Sequence, residues 1–142
     1  MSTFQVQQYF TQKPEQVFAA FSKHSIYADA FWPVQIERVK DAADPLNPDG
    51  LGSIRAMGFG FIKPIREQIT AVEPNQLIEY KLINNPLVSH HLGRLQFAAQ
   101  GEGTLLTYSI EFVGKLPLSS LIVSSNLKMV IKLGLAKIAR KL

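Results

Sequence analysis

The chain has 142 residues, 46% of them hydrophobic and 18% charged, and a net charge of +4. That is enough chain to bury one core, with the balance of a folded rather than a disordered segment. There is no cysteine, which excludes disulfides, thiolate metal ligation and a cysteine nucleophile.

Residues 4–10 alternate apolar and polar side chains and predict a strand. Pro14 and Glu15 suit the first turn of a helix, where a missing N–H costs nothing and a negative charge is favoured. Val17, Phe18 and Phe21 fall on one face of that helix. A second short helix is expected over 25–30, stopping before Trp32-Pro33 because the residue preceding proline avoids the helical region. Residues 34–39 read as a strand, Asp44-Pro45-Leu46-Asn47-Pro48-Asp49-Gly50 as a loop, and 51–57 as the next strand. Gly58-Phe59-Gly60 suggests a turn. Strands at 62–73 and 76–83 meet at Glu73-Pro74-Asn75-Gln76, a tight turn with proline well placed. After Asn84-Asn85-Pro86, strands at 88–99 and 104–113 are joined by the hairpin Gln100-Gly101-Glu102-Gly103. Leu116-Pro117 opens a long helix over 118–142 that is apolar nearly all round, so it needs cover on more than one side. Strands joined by tight turns pair antiparallel, and strands followed by a helix argue for an α+β fold.

The order and spacing of these pieces resemble the START and polyketide-cyclase (SRPBCC, helix-grip) superfamily over the whole chain, closest to its polyketide cyclase/dehydrase-like branch. The likeness rests on the opening strand followed by Pro14-Glu15-Gln16-Val17-Phe18, on Trp32-Pro33, and on Gly52-Ser53-Ile54-Arg55. It continues through Arg66-Glu67-Gln68-Ile69 and the run from Val72 to Tyr80, and ends on Gly101-Glu102-Gly103-Thr104-Leu105-Leu106-Thr107-Tyr108. The resemblance implies a helix-grip α+β fold. A seven-stranded antiparallel sheet wraps a long C-terminal helix, with two short helices between strands 1 and 2. Residues 1–142 would form a single ligand-binding domain around an apolar cavity. It implies no one function, since fold-level analogy is a weak guide to chemistry.

The period of two assigns faces. Ile65, Glu67, Ile69 and Ala71 share one face of their strand, as do Ile78, Tyr80 and Leu82 on the next. His91, Gly93, Leu95 and Phe97 point inward, and so do Leu106, Tyr108, Ile110 and Phe112. The inward polar set is Glu67, Tyr80, His91 and Tyr108, with Arg55 as a fifth whose parity its own strand does not settle. An acid, an imidazole and two phenols converging on apolar walls form the pattern of a ligand site. A buried carboxylate is costly to ionise, so Glu67 is expected to pair with Arg55 or His91 or to have a raised pKa. Trp32 and Phe59 join the ligand-binding set at the cavity mouth, where Phe59 and Phe61 form a lid on a glycine-flanked loop.

Two readings follow. One is a carrier or sensor of a hydrophobic or aromatic small molecule. The other is a cyclase or dehydratase in which Glu67 or His91 takes a proton next to a carbonyl and Tyr80 or Arg55 steadies the enolate oxygen. Adjacent His90 and His91 point to opposite faces and cannot share a metal, and His24 has no partner carboxylate at ligand spacing, so no metal or cofactor is expected. Six of the fifteen bases, Lys115, Lys128, Lys132, Lys137, Arg140 and Lys141, lie beyond the last acid, Glu111. They read as a solvated helix face, or as a patch for an anionic membrane surface; no aromatic–basic pattern supports nucleic acid. The N-terminus lacks a secretory pattern, and the expected setting is a cytoplasmic monomer or homodimer.

Overall fold

A computed structural model of the chain describes residues 2–115 and 119–142, with side chains described over 3–115 and 126–142. Strand β1 (Ser2–Phe10) leads to helices α1 (Pro14–Phe21) and α2 (His24–Ala30). Then come β2 (Gln35–Lys40), β3 (Ile54–Phe59), β4 (Ile62–Glu73), β5 (Leu77–Ile83), β6 (Val88–Gln100) and β7 (Gly103–Gly114), and finally α3 (Ser119–Lys141). The expected opening of the last helix at Leu116-Pro117-Leu118 lies outside the described residues.

The seven strands form one antiparallel sheet in the order β1-β7-β6-β5-β4-β3-β2. Only β1 steps out of sequence order, pairing with β7 from Ser2↔Phe112 to Phe10↔Thr104. With the C-terminal helix this is the helix-grip arrangement. Pro14 fills the first helical position of α1, and Gln16 Oε1 accepts from the Lys13 N–H at 3.2 Å. Asp49, in the loop before β3, reaches back to accept from the His24 N–H at 2.9 Å, which ties that loop to the start of α2.

The core lies on the inner face of the sheet. Phe4, Val6 and Phe10 of β1 join Leu95, Phe97, Leu106 and Ile110, with Val17 and Phe21 of α1 against them. Phe21 stands edge-on to Phe10, Tyr27 and Phe97. Helix α3 adds Ile131, Leu135 and Ile138. Gly134 stands where a Cβ would overlap the Phe31 ring, so glycine permits the close approach of α3 to the end of α2. The expectation of a helix covered on several sides needs correction over the described side chains. Ile131, Leu135 and Ile138 form a single buried stripe, while Met129, Val130 and Leu133 are exposed. Among the described residues no helix is long and apolar enough to cross a membrane.

One break in the sheet matters for the site. The β4–β5 ladder runs to Arg66↔Ile83, and the β6–β7 ladder runs to Val88↔Gly114. Between them, β5 and β6 pair only from Leu77↔Gln96 to Tyr80↔Gly93. Beyond Tyr80 the two central strands part.

Candidate functional site

Alternation carries Glu67 inward on β4, and the cross-strand pair Arg55↔Glu67 puts Arg55 beside it. Arg55 Nε donates to Glu67 Oε1 at 2.9 Å, and both residues are buried. The guanidinium lies over the rings of Tyr27 at 4.2 Å and Tyr80 at 5.1 Å, within cation–π range of both. The Tyr80 and Tyr108 hydroxyls share a hydrogen bond. The His91 ring sits 5.4 Å from that of Tyr80, and its Nδ1 accepts from the Leu82 N–H at 3.2 Å. That bond satisfies a strand donor where the ladder has opened. Gly93 faces Tyr80 across β5 and β6, and a Cβ there would overlap the phenol ring. The absence of a side chain is what lets Tyr80 lie flat across the sheet.

Five expected site residues, Arg55, Glu67, Tyr80, His91 and Tyr108, therefore form one buried cluster. Trp32 and Phe59 do not join it: they stand 68% and 63% exposed, Trp32 after α2 and Phe59 at the β3–β4 hairpin. Tyr27 was absent from the expected set. It sits on α2, where strand alternation says nothing, and its hydroxyl donates to the Phe21 carbonyl at 2.7 Å. His24 also has a carboxylate neighbour that its sequence context hides. Its Nδ1 lies 3.7 Å from Asp49 Oδ1, brought in by the loop, and its Nε2 lies 3.4 Å from Ser53 Oγ.

The electrostatics follow from burial. Desolvation raises the Glu67 carboxyl above the ordinary carboxylate range, against the pull of Arg55. Burial works against the Arg55 charge, but Glu67 and the surrounding phenols outweigh it and hold the guanidinium pKa above its usual value. The ion pair stands, because an unpaired buried guanidinium costs far more than a desolvated pair at hydrogen-bond distance. Burial pushes the Tyr27 hydroxyl up to about 12 and raises Tyr80 and Tyr108 as well, so all three are neutral donors. Burial lowers both His24 and His91 to about 4, leaving neutral imidazoles.

Arg55 has capacity to spare: its Nη1 is buried and has no hydrogen-bond partner among the described residues, and the same holds for His24 Nδ1. Both residues line a cavity of about 40 Å³. A wider cleft of about 510 Å³ occupies the gap where β5 and β6 part. It is lined by Lys81 and Leu82 of β5, by Val88, Ser89, His90 and His91 of β6 and by the Asn84-Asn85-Pro86 turn between them. Among the described residues no cluster of three metal-ligating side chains occurs.

The family model described as polyketide cyclase/dehydrase and lipid transport matches residues 1–142. No curated protein sequence matches the chain. Among solved structures, protein MLL2253 from Mesorhizobium loti is 15% identical, with 98% of this chain and 95% of that one covered at a TM-score of 0.73. Ara h 8.0201 is also 15% identical, over 96% and 97% of the two chains, at a TM-score of 0.66. The Aha1 dimer from Colwellia psychrerythraea is 14% identical, over 94% and 91%, at 0.64. At these identities the likeness to solved structures speaks for the fold alone.

Proposed function

The chain belongs to the polyketide cyclase/dehydrase and lipid transport family, and on that premise we propose that it binds a small hydrophobic or aromatic molecule, lipid- or polyketide-like, as a carrier or sensor. Residues 1–142 act as one ligand-binding unit. The ligand lies between the inner face of the sheet and the helices that cover it, and Arg55, Glu67, Tyr80, His91 and Tyr108 orient its polar end. The observation that carries this reading is the polar cluster itself: a charged pair and three phenols shut away from water, with a guanidinium N–H left unspent. Buried polar groups are normally satisfied, and an unspent donor suits a guest that supplies the acceptor. Apolar walls supply the affinity, at roughly 25 cal/mol per Å² buried.

The cyclase or dehydratase alternative needs a base at liberty. Glu67 Oε1 is held by Arg55, which leaves Oε2 alone, and His91 Nδ1 is held by the Leu82 N–H, which puts the ring proton on Nε2. That geometry favours binding over proton abstraction.

Native mass spectrometry of protein taken directly from cells, followed by displacement of a fluorescent fatty acid and a fluorescent flavonoid, tests the reading. A retained non-peptide mass or saturable displacement is expected. An empty protein that displaces neither probe would contradict it. Probe emission is the readout of choice, because Trp32 is exposed.

A further inference from the structure

We propose that the cavity beside Arg55 seats a neutral oxygen group, a hydroxyl or a ketone, at the end of an otherwise apolar ligand, and that it rejects a carboxylate. The inference rests on the binding reading above and names the ligand class for that site.

Two residues that line the same small space each carry a buried nitrogen with no hydrogen bond among the described residues. Arg55 is 3% exposed and spends Nε on Glu67, while its Nη1 has no acceptor among the described residues. A buried N–H left unmade is costly, so an acceptor oxygen there is favoured. His24 Nδ1 is the second. Asp49 Oδ1 stands 3.7 Å from it, which favours the tautomer with the proton on Nδ1 and with Nε2 accepting from Ser53 Oγ. A ligand hydroxyl or ketone oxygen can then accept from Arg55 and from His24.

Charge decides between a neutral oxygen and a carboxylate. Arg55 is already balanced by Glu67. Asp49, which also lines the cavity, shares Arg38 with Asp41 and accepts from the His24 N–H. The ion-paired groups around the cavity thus leave no positive charge to spare before any guest arrives. A carboxylate would add an uncompensated negative charge beside Asp49, away from water, which is the expensive case. A neutral acceptor brings no such penalty.

Size gives a second limit. A cavity of about 40 Å³ is a few times the ~10–15 Å³ that a single water needs. It admits one small oxygen-bearing group. The apolar remainder of the ligand is too large for this space and extends from it past Phe18 and Val72, the half-buried apolar members of its lining.

The test uses two matched series, titrated calorimetrically against the full chain at pH 7.5. One is 2-naphthol, 2-acetylnaphthalene and 2-naphthoate; the other is 1-decanol, 2-decanone and decanoate. The neutral members of at least one series are expected to bind at least tenfold tighter than its carboxylate. The infrared C=O stretch of bound 2-acetylnaphthalene is expected to move to lower wavenumber, and this readout needs only the unaltered protein. The double variant Arg55→Met with Glu67→Met removes the pair together and is expected to abolish the shift and weaken the neutral members, while the carboxylate stays excluded. Carboxylates that bind as tightly as their neutral partners, or an unshifted carbonyl in a bound ketone, would overturn the inference and leave the binding reading standing. The second outcome is also the one expected if the cavity holds only an ordered water. Failure of all six compounds to bind would overturn both.

Discussion

Arg55 and Glu67 stand directly opposite one another on β3 and β4, joined at 2.9 Å and both out of reach of solvent. A pair in that position contributes little net stability but is expensive to halve. Replacing Glu67 alone by Leu should cost about 3–5 kcal/mol, because it leaves a buried guanidinium unpaired. Replacing both, Arg55→Met with Glu67→Leu, should return the protein to within about 2 kcal/mol of the parent. Urea unfolding midpoints of the three proteins measure this, and two equally destabilised variants would refute the pairing argument.

Gly93 supports the cluster from beneath. Since a Cβ there meets the Tyr80 ring, Gly93→Ala overpacks the site and should cost about 1–3 kcal/mol. It should also perturb the Tyr80 and His91 ring resonances more than those of residues near Phe10. A neutral Gly93→Ala would mean that the ring has room to move.

His91 gives a pH dependence of defined sign. Its folded pKa is lowered to about 4 by burial, from an ordinary 6.5. Between those values the unfolded chain takes up the proton and the folded one does not. The contribution of His91 is therefore complete above pH 6.5 and is lost as the pH falls towards 4. The comparison with His91→Gln, which retains an acceptor for the Leu82 N–H, isolates this group from Glu67 and His24. The stability difference between parent and variant should be flat above pH 7 and shift in favour of the variant between pH 6.5 and 4. A difference that is level across that window would place the imidazole in water.

The Tyr80–Tyr108 bond joins two hydroxyls with no water-facing alternative. Tyr108→Phe should cost about 1–3 kcal/mol by orphaning the Tyr80 hydroxyl. The double change to phenylalanine should recover part of that loss. Strict additivity of the two single changes would show that the hydroxyls do not interact.

Much of the architecture is legible in the chain because its signals are local. Alternation and turn chemistry locate the strands within a few residues, and the 62–73 strand is the observed β4. The same alternation turns Glu67, Tyr80, His91 and Tyr108 inward. Ile65 shares parity with Glu67 yet is 40% exposed, because β4 at that point runs into the β3–β4 hairpin, beyond the packed part of the sheet. Arg55 became assignable only through its register with Glu67. Tyr27 and the His24–Asp49 contact escaped because a helix face and a returning loop position them, and neither has a periodic signature. Trp32 and Phe59 are aromatic residues beside turns, and nothing in their spacing distinguishes a cavity mouth from an exposed end.

The central claim is that the buried cluster around Arg55 is where a guest presents its polar end. Tyrosine-selective ring labelling combined with the Arg55 Nε resonance tests it most directly, during titration with 2-acetylnaphthalene. The account predicts saturable shifts at Arg55, Tyr27 and Tyr80, with Tyr9 unmoved. Binding that shifts Tyr9 or other exposed positions while leaving Arg55 and Tyr80 unchanged would contradict it.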